Sequence, residues 1–421
     1  MVKSNKNTNQ NKSKNKKELN KTKSKKLVYL DNASATFLDG VVLSKMNQAF
    51  KKYFANPSAI HNLGVESMKV LTQARNSVGA ILGAHMDEIV FTSGATESNN
   101  LAVLGTVSLA SKKFKTPHVI ISNIEHASIL EVCKFLESEK KIELDYLPVE
   151  QDGIVDPSKL KKLIKENTVL VSVMYANNEI GTIQPIREIA KVIRHYKKNN
   201  NHELYPVFHT DATQAINYLD INVLRLGVDL LSFNAGKIYG PKGVGVLFKK
   251  RGVELSPVNH GGDQEFQIRP GTENLPLVVG LEQALILTEK MKIKENKRLV
   301  TLRDYFIAKM QNLFKKYEIN IILNGDSVMR LPNNVNFTIP QIPSDLLLIE
   351  LSTRGIHISE KSACKSGDQK NSHVLEAIHV DGGKIIHSLR FSLGRDTTKE
   401  GLNYVITSMS EILKKTKKWY I

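Results

Sequence analysis

Between about residues 27 and 290 the chain alternates short apolar runs with longer stretches of helical periodicity. The runs are Ile89-Val90-Phe91-Thr92, Val119-Ile120-Ile121, Val169-Leu170-Val171-Ser172-Val173, Val207-Phe208-His209-Thr210 and Leu230-Leu231-Ser232-Phe233. Bounded by turn-forming residues and rich in β-branched and aromatic types, they read as strands. Strands alternating with helices predict βα units around a mainly parallel sheet covered on both faces. Beyond 290 a long charged helix is predicted from Lys290 towards Lys315, then a strand at Asn334-Val335-Asn336-Phe337 and further helices. The pattern thus predicts a large α/β domain over 27–290 and a smaller α+β domain over 291–421, with the first folded residues packing on the smaller one. No internal repeat is visible.

Polar clusters fall where such a sheet would use them. Ser93-Gly94-Ala95-Thr96-Glu97, Glu125-His126, Asn177-Asn178-Glu179, Asp211-Ala212-Thr213-Gln214 and Asn234-Ala235-Gly236-Lys237 each come at or just after the end of an apolar run. Open α/β sheets bind ligands outside the carboxyl ends of their strands. One such cluster is an ordinary turn; five obeying one rule predict a site.

Charge adds a separate segment. Formal net charge is +17, and residues 1–26 contribute ten lysines against the single acid Glu18, leaving +8 for the rest. That Lys/Asn/Ser tail has almost nothing apolar to bury and is read as disordered. It has neither the h-region of a secretory signal nor the arginines of a transit peptide. Basic charge confined to a tail without interleaved aromatics does not predict nucleic-acid recognition. No apolar stretch approaches the roughly 20 residues of a membrane span. Two distant cysteines, Cys133 and Cys364, build neither a disulfide framework nor a metal site, and a reducing, cytoplasmic home is expected.

Three residue types in order then suggest a chemistry. Gly94-Ala95-Thr96 opens a helical stretch whose N–H groups suit a phosphate. Asp211 at a strand end needs a cationic partner, and a protonated pyridine nitrogen is one. Lys237, after a strand and before a Gly/Pro-rich turn, suits a Schiff-base amine. Each alone has an ordinary alternative: a helix cap, a surface carboxylate, a surface lysine. Together they describe a site for pyridoxal phosphate (PLP), with no metal.

Longer motifs carry a resemblance. Tyr29-Leu30-Asp31-Asn32-Ala33, Asn56-Pro57-Ser58 with His61 and Gly64, Phe91 to Asn100, Glu125-His126, Asn177 to Gly181, His209 to Gln214 and Lys237 to Gly243 are similar to the cysteine desulfurases of the class-V aminotransferase family. So are Arg269 to Asn274, Ser362-Ala363-Cys364, Ser372 to Leu375 and Arg390 to Arg395. The resemblance implies PLP fold type I, a homodimer, and removal of sulfur from L-cysteine to give L-alanine and a cysteine persulfide. It implies that Lys237 binds PLP covalently, Asp211 pairs with the ring nitrogen, Gln214 bonds the ring hydroxyl and His126 stacks on the ring and moves protons as a catalytic residue. Thr96 would hold the phosphate, helped by Thr272 of a second subunit, while Asn178 and Arg390 would hold the substrate carboxylate. Cys364 would take the sulfur, its thiolate favoured by Lys361 and Lys365. An iron–sulfur scaffold or a tRNA-thiolation relay would then receive it.

Two departures qualify this. Asn234 and Gly236 stand where the family usually has a serine and a histidine serving the phosphate and the ring. Asn234 retains an amide donor; Gly236 has no side chain. Ser34-Ala35-Thr36 replaces a common Ala-Thr-Thr. The rival readings are a selenocysteine lyase or another class-V aminotransferase and, motivated by Gly236, a scaffold that has lost PLP.

Overall fold

The computed structural model describes residues 27–201, 204–360, 372–378 and 387–420. The basic tail, Cys364 and its neighbours Lys361 and Lys365 lie outside the described residues. A short strand β1 (Val28–Tyr29) comes first. Seven strands then form the central sheet: β2 (Ile89–Thr92), β3 (His118–Ser122), β4 (Glu143–Leu147), β5 (Thr168–Ser172), β6 (Val207–Asp211), β7 (Leu230–Asn234) and β8 (Gly245–Lys249). Their order is β2-β8-β7-β6-β5-β3-β4, with β8 antiparallel to both neighbours and the rest parallel.

All five residues of β3, β5 and β6 are buried, which is why these strands read as continuous apolar runs. β4 and β8 were not anticipated. β4 is an edge strand that exposes Glu143 and Tyr146, so its pattern is half polar. β8 follows a Gly/Pro-rich turn and pairs as a hairpin with β7.

The helices that position the site are α1 (Gly40–Lys52), α2 (Asn62–Leu82), α3 (Ala95–Ala110), α4 (Ala127–Ser138), α5 (Ile186–Asn199) and α6 (Leu275–Lys316). α3 and α4 pack on the sheet face carrying Val119, Ile121, Leu170, Val207, Leu230 and Leu247. The opposite face, with Ile120, Val171, Phe208, Leu231 and Val246, belongs to the larger core that includes α2, α5 and α6. Each fully buried aliphatic or aromatic side chain here contributes about 1.5–3 kcal/mol.

α6 starts well before Lys290. Asn274 caps it through Leu277 N–H, and its first half buries Leu275, Val278, Leu281, Ala284 and Leu285. That apolar half blends with the sequence pattern of the preceding residues, so only the charged half stood out; position 290 falls inside one continuous helix. Beyond it, β9 (Ile322–Leu323), β10 (Asn334–Thr338) and β12 (Ser388–Ser392) form an antiparallel sheet in the order β12-β10-β9. β11 (Ile356–His357) pairs in parallel with β1, and Asp31 bridges to Ser392. The first described residues are thereby stitched to the C-terminal strands. α7 (His373–Ile378) and α8 (Lys399–Tyr420) complete the described chain.

The strand order fixes where a ligand can sit. From β3 the chain passes to β4 on one side and then to β5 on the other, so a crevice opens outside the carboxyl ends of β3 and β5.

Candidate functional site

A cavity of about 190 Å³ occupies that crevice. It draws Ala95 and Thr96 from the start of α3, His126 and Ser128 from the start of α4, and Met174, Ala176 and Asn178 from the loop after β5. Asp211, Thr213 and Gln214 come from the end of β6, and Asn234 and Lys237 from the end of β7. Ala33, Ser34 and Arg390 complete it from the N-terminal arm and β12.

Lys237 lies in a single 3₁₀ turn, Ala235–Lys237, directly after β7. Its Nζ donates to the carbonyl oxygens of Ala33, at 2.8 Å, and Ser34. The turn is held from both sides. Thr36 donates its N–H to Gly236 O at 3.1 Å, and its hydroxyl accepts Tyr239 N–H at 2.8 Å. Tyr239 takes a left-handed φ of 63°, strained for an aromatic residue. Burial of its ring and the Arg395 guanidinium 4.0 Å above it keep it there, and burial pushes its hydroxyl up to about 12.

Asp211 is buried at the end of β6. Its Oδ2 accepts Asn99 Nδ2 at 2.7 Å and its Oδ1 accepts Thr213 N–H at 2.9 Å. Asn99 Nδ2 also donates to Ser128 Oγ at 2.8 Å, and Ser128 meets His126 Nδ1 at 2.8 Å. Ser128 N–H donates to that same Nδ1 at 3.2 Å, so a neutral His126 ring carries its proton on Nε2. Two residues deeper on β6, His209 bridges the Ser172 and Ser232 hydroxyls, each at 2.9 Å. Burial pushes its imidazole down to about 4, leaving it neutral beneath Asp211. Gln214 donates to Ala33 O at 3.0 Å.

Arg390 is 1 % exposed. It donates to Asn178 O at 2.9 Å, to Asp31 Oδ1 at 2.9 Å and to Ser34 Oγ at 2.7 Å, while its Nε has no partner among the described residues. A buried guanidinium with a donor still free is suited to an anionic ligand.

The first turn of α3 closes the opposite end. Gly94 is its N-cap, with Ala95 and Thr96 lining the cavity. This helix start lies directly on β8: a Cβ at Gly245 would stand 2.6 Å from Gly94 C, a clash with backbone that only glycine avoids. Arg269 pairs with Glu97 at 2.9 Å and ties the loop before α6 to the same turn. Thr272, in that loop, is exposed and does not line the cavity of its own chain. Of the two residues that depart from the family at this end, Asn234 has a buried Oδ1 with no partner among the described residues, and a Cβ at Gly236 would meet Lys242 Cγ at 3.5 Å, an ordinary contact.

The class-V aminotransferase profile matches residues 28–405. The chain belongs to the class-V aminotransferases. Within the family it is 44% identical over 391 residues to the cysteine desulfurase IscS of Dictyoglomus turgidum, covering 93% of this chain and 95% of that one. It is 41% identical to the cysteine desulfurase IscS of Methanosarcina thermophila, covering 93% of each. Among solved structures, a NifS-like protein superposes with a TM-score of 0.83 at 34% identity, over 93% of this chain and all of that one. SspA in complex with cysteine gives 0.71 at 34%, over 87% and 98%. The α/β fold class and the cysteine desulfurase family read from the sequence are both borne out.

For this class-V aminotransferase, the structure brings Ala95, Thr96, His126, Asn178, Asp211, Gln214, Asn234, Lys237 and Arg390 to one cavity, with Gly94 behind them. Cys364 lies outside the described residues, and Thr272 does not line the cavity of its own chain. Asp31, Ser34, Thr36, Asn99 and Ser128 were missed as site residues. Ser34, one of the residues that depart from the family's common Ala-Thr-Thr, lines the cavity and bonds Arg390. Its signal was its place directly after the Asp31-Asn32-Ala33 motif.

Proposed function

We infer that the chain is a PLP-dependent cysteine desulfurase that moves sulfur from L-cysteine onto Cys364 and releases L-alanine. The observation carrying this is the convergence of an amine (Lys237), a buried carboxylate (Asp211), a helix start (Ala95-Thr96) and a buried guanidinium (Arg390) on one cavity. Thr213 Oγ1, Asn234 Oδ1 and Arg390 Nε, buried polar atoms with no partner among the described residues, are suited to a polar ligand such as PLP.

When bound, PLP supplies an electron sink for the substrate's α-carbon. Lys237 would hold it covalently and carry protons at Nζ. Asp211, already fixed by Asn99 and Thr213, supplies the negative charge that matches a protonated ring nitrogen. Gln214 would reach the ring hydroxyl and His126 would stack on the ring, its place set through Ser128. Thr96 and the α3 N–H groups would take the phosphate, with Asn234 at its side and Thr272 arriving from the second subunit of a homodimer. Arg390 and Asn178 would orient the substrate carboxylate. The Cys364 thiolate then attacks the substrate sulfur; the carbon–sulfur bond breaks, the carbon takes a proton, and an enzyme persulfide remains for an iron–sulfur scaffold or tRNA-thiolation relay. Persulfide chemistry needs a reduced thiol, which favours a cytoplasmic setting. We also propose the division into a PLP-binding unit over 27–290 and a smaller unit over 291–421 that carries Cys364.

The test is release of L-alanine and sulfide from L-cysteine, with and without an acceptor thiol. Alanine in proportion to sulfur is expected. No alanine from L-cysteine, with turnover of L-selenocysteine only, would move the enzyme to the lyases, and no PLP absorbance at all would leave a scaffold.

Gly245→Ala tests the phosphate end. Its methyl group must push the α3 start off β8, so PLP is expected to dissociate at least about tenfold more readily, the loss of one good hydrogen bond. Equilibrium dialysis of PLP from the variant measures this, and retention equal to wild type would show that the α3 start tolerates the shift.

A further inference from the structure

Glu125 is a wholly buried carboxyl that the reaction outlined above leaves unused. It stands in the turn from β3 to α4, one residue before His126, beside the crevice where the strand order reverses. Its Oε1 accepts the Ser122 hydroxyl at 2.6 Å and the Met174 N–H at 2.7 Å, tying the end of β3 to the end of β5. Its own carbonyl accepts His373 Nε2–H at 2.9 Å, which brings the start of α7 to the same turn. Its Oε2 is buried and has no partner among the described residues.

The charges around it do not favour an anion. Asp211, from β6, is a like charge that opposes ionisation, and no lysine or arginine among the described residues counters it. The remaining titratable groups nearby are the Cys133 thiol of α4, His126 at the start of α4, and His373 at the start of α7. The thiol is itself pushed up by burial, so it adds no charge either. A lone carboxylate with one unsatisfied oxygen is among the costliest groups to bury, whereas the acid form needs no counter-ion. Burial accordingly pushes the Glu125 carboxyl up to about 8.

We propose that Glu125 is a positioning residue that works as a neutral carboxylic acid, locking the corner that presents His126 and Met174 to the cavity and loosening it when the proton is lost. In the acid form Oε1 behaves as a carbonyl that accepts two hydrogen bonds, and the proton resides on Oε2. The neutral form also leaves Asp211 as the one carboxylate among the described residues in this part of the wall, so the charge matched to a ring nitrogen is not doubled. Ionisation adds a second negative charge beside Asp211, with no lysine or arginine among the described residues to offset it.

The sign of the pH effect follows. An unfolded glutamate loses its proton near 4.5, whereas the folded one keeps it up to about 8. Stability from this group is fully present below the lower value and is lost as pH rises towards the upper one. Glu125→Gln is isosteric, keeps an oxygen for Ser122 and Met174, and cannot ionise.

The experiment compares PLP-loaded wild type and Glu125→Gln between about pH 6 and about pH 9. The wild-type Tm is expected to fall relative to the variant as pH approaches about 8 and then to stay level. The alkaline fall of kcat is expected to lie at least about one pH unit higher in the variant, with KM for L-cysteine within about twofold. Cys364 and the substrate thiol titrate alike in both proteins, so they cancel in the comparison. A Tm gap that does not change with pH would overturn the neutral acid. A changing gap with superimposable kcat profiles would overturn the positioning role, leaving a proton that matters only for folding. The kinetic arm rests on the desulfurase reading and the Tm arm does not, so no L-cysteine turnover in either protein sinks that reading separately. Should Glu125→Gln fail to fold, ¹³C-glutamate infrared spectra of wild type decide instead. An unionised carboxyl band at neutral pH that disappears above about 8 is expected, and its absence would defeat the proposal.

Discussion

Lys237→Ala is expected to lose covalent attachment of PLP altogether and to reduce L-cysteine turnover by at least about 10²–10⁴-fold, the contribution of a positioned proton carrier. Among the described residues Lys237 is the one lysine that lines the cavity, and its Nζ is held by two backbone carbonyls of the arm opposite. Those carbonyls accept hydrogen bonds and cannot replace an amine as nucleophile or base. Lys242, the next lysine along, follows the Gly240-Pro241 turn and is not part of the cavity wall. The variant is expected to fold, because the turn is fixed by Thr36, Tyr239 and Arg395 and not by the lysine side chain. Borohydride reduction followed by peptide mapping provides the check. Cofactor trapped on the wild-type peptide containing residue 237 and on no peptide of the variant is expected. A labelled lysine elsewhere in the variant would mean that Lys237 is the wrong amine.

How far the sequence reaches depends on the range of the interaction. Strands buried on both faces betray themselves locally, so β2, β3, β5, β6 and β7 were legible, along with the polar residues at their ends. β4 was not, because a sheet edge admits Glu143 and Tyr146 to solvent and breaks the apolar run. The site's other half was hidden for a different reason. Ala33 and Ser34 meet Lys237 from 204 and 203 residues away, and Asp31 meets Arg390 from 359. No periodicity or spacing within the arm announces those partners; only the folded sheet order does. Asn99 and Ser128 are a related case: they are ordinary helix residues until Asp211 and His126 are set beside them. Glu125 was visible as a residue at a strand end, but the neutral form proposed for it rests on its complete burial and on the lack of a lysine or arginine beside it among the described residues, which a sequence does not display.

Cys364→Ser is expected to separate cofactor chemistry from sulfur transfer. Lys237, Asp211 and Arg390 do their work without a thiol, so the variant should bind PLP and change its absorbance on adding L-cysteine. It should release no alanine above background, because a serine hydroxyl stays protonated at neutral pH and is a poor nucleophile towards sulfur, whereas a thiolate is a good one. Cys133 cannot stand in. It is wholly buried in α4, and burial holds its thiol far above the ordinary range, so it supplies neither access nor a thiolate. In wild type given L-cysteine without acceptor, mass spectrometry of the Cys364 peptide should find one additional sulfur that reductant removes. Extra sulfur on the Cys133 peptide, or full L-cysteine turnover by Cys364→Ser, would refute the persulfide assignment. Turnover of L-selenocysteine alone by the variant would leave the assignment standing, since selenium can leave the substrate without attack by a thiolate.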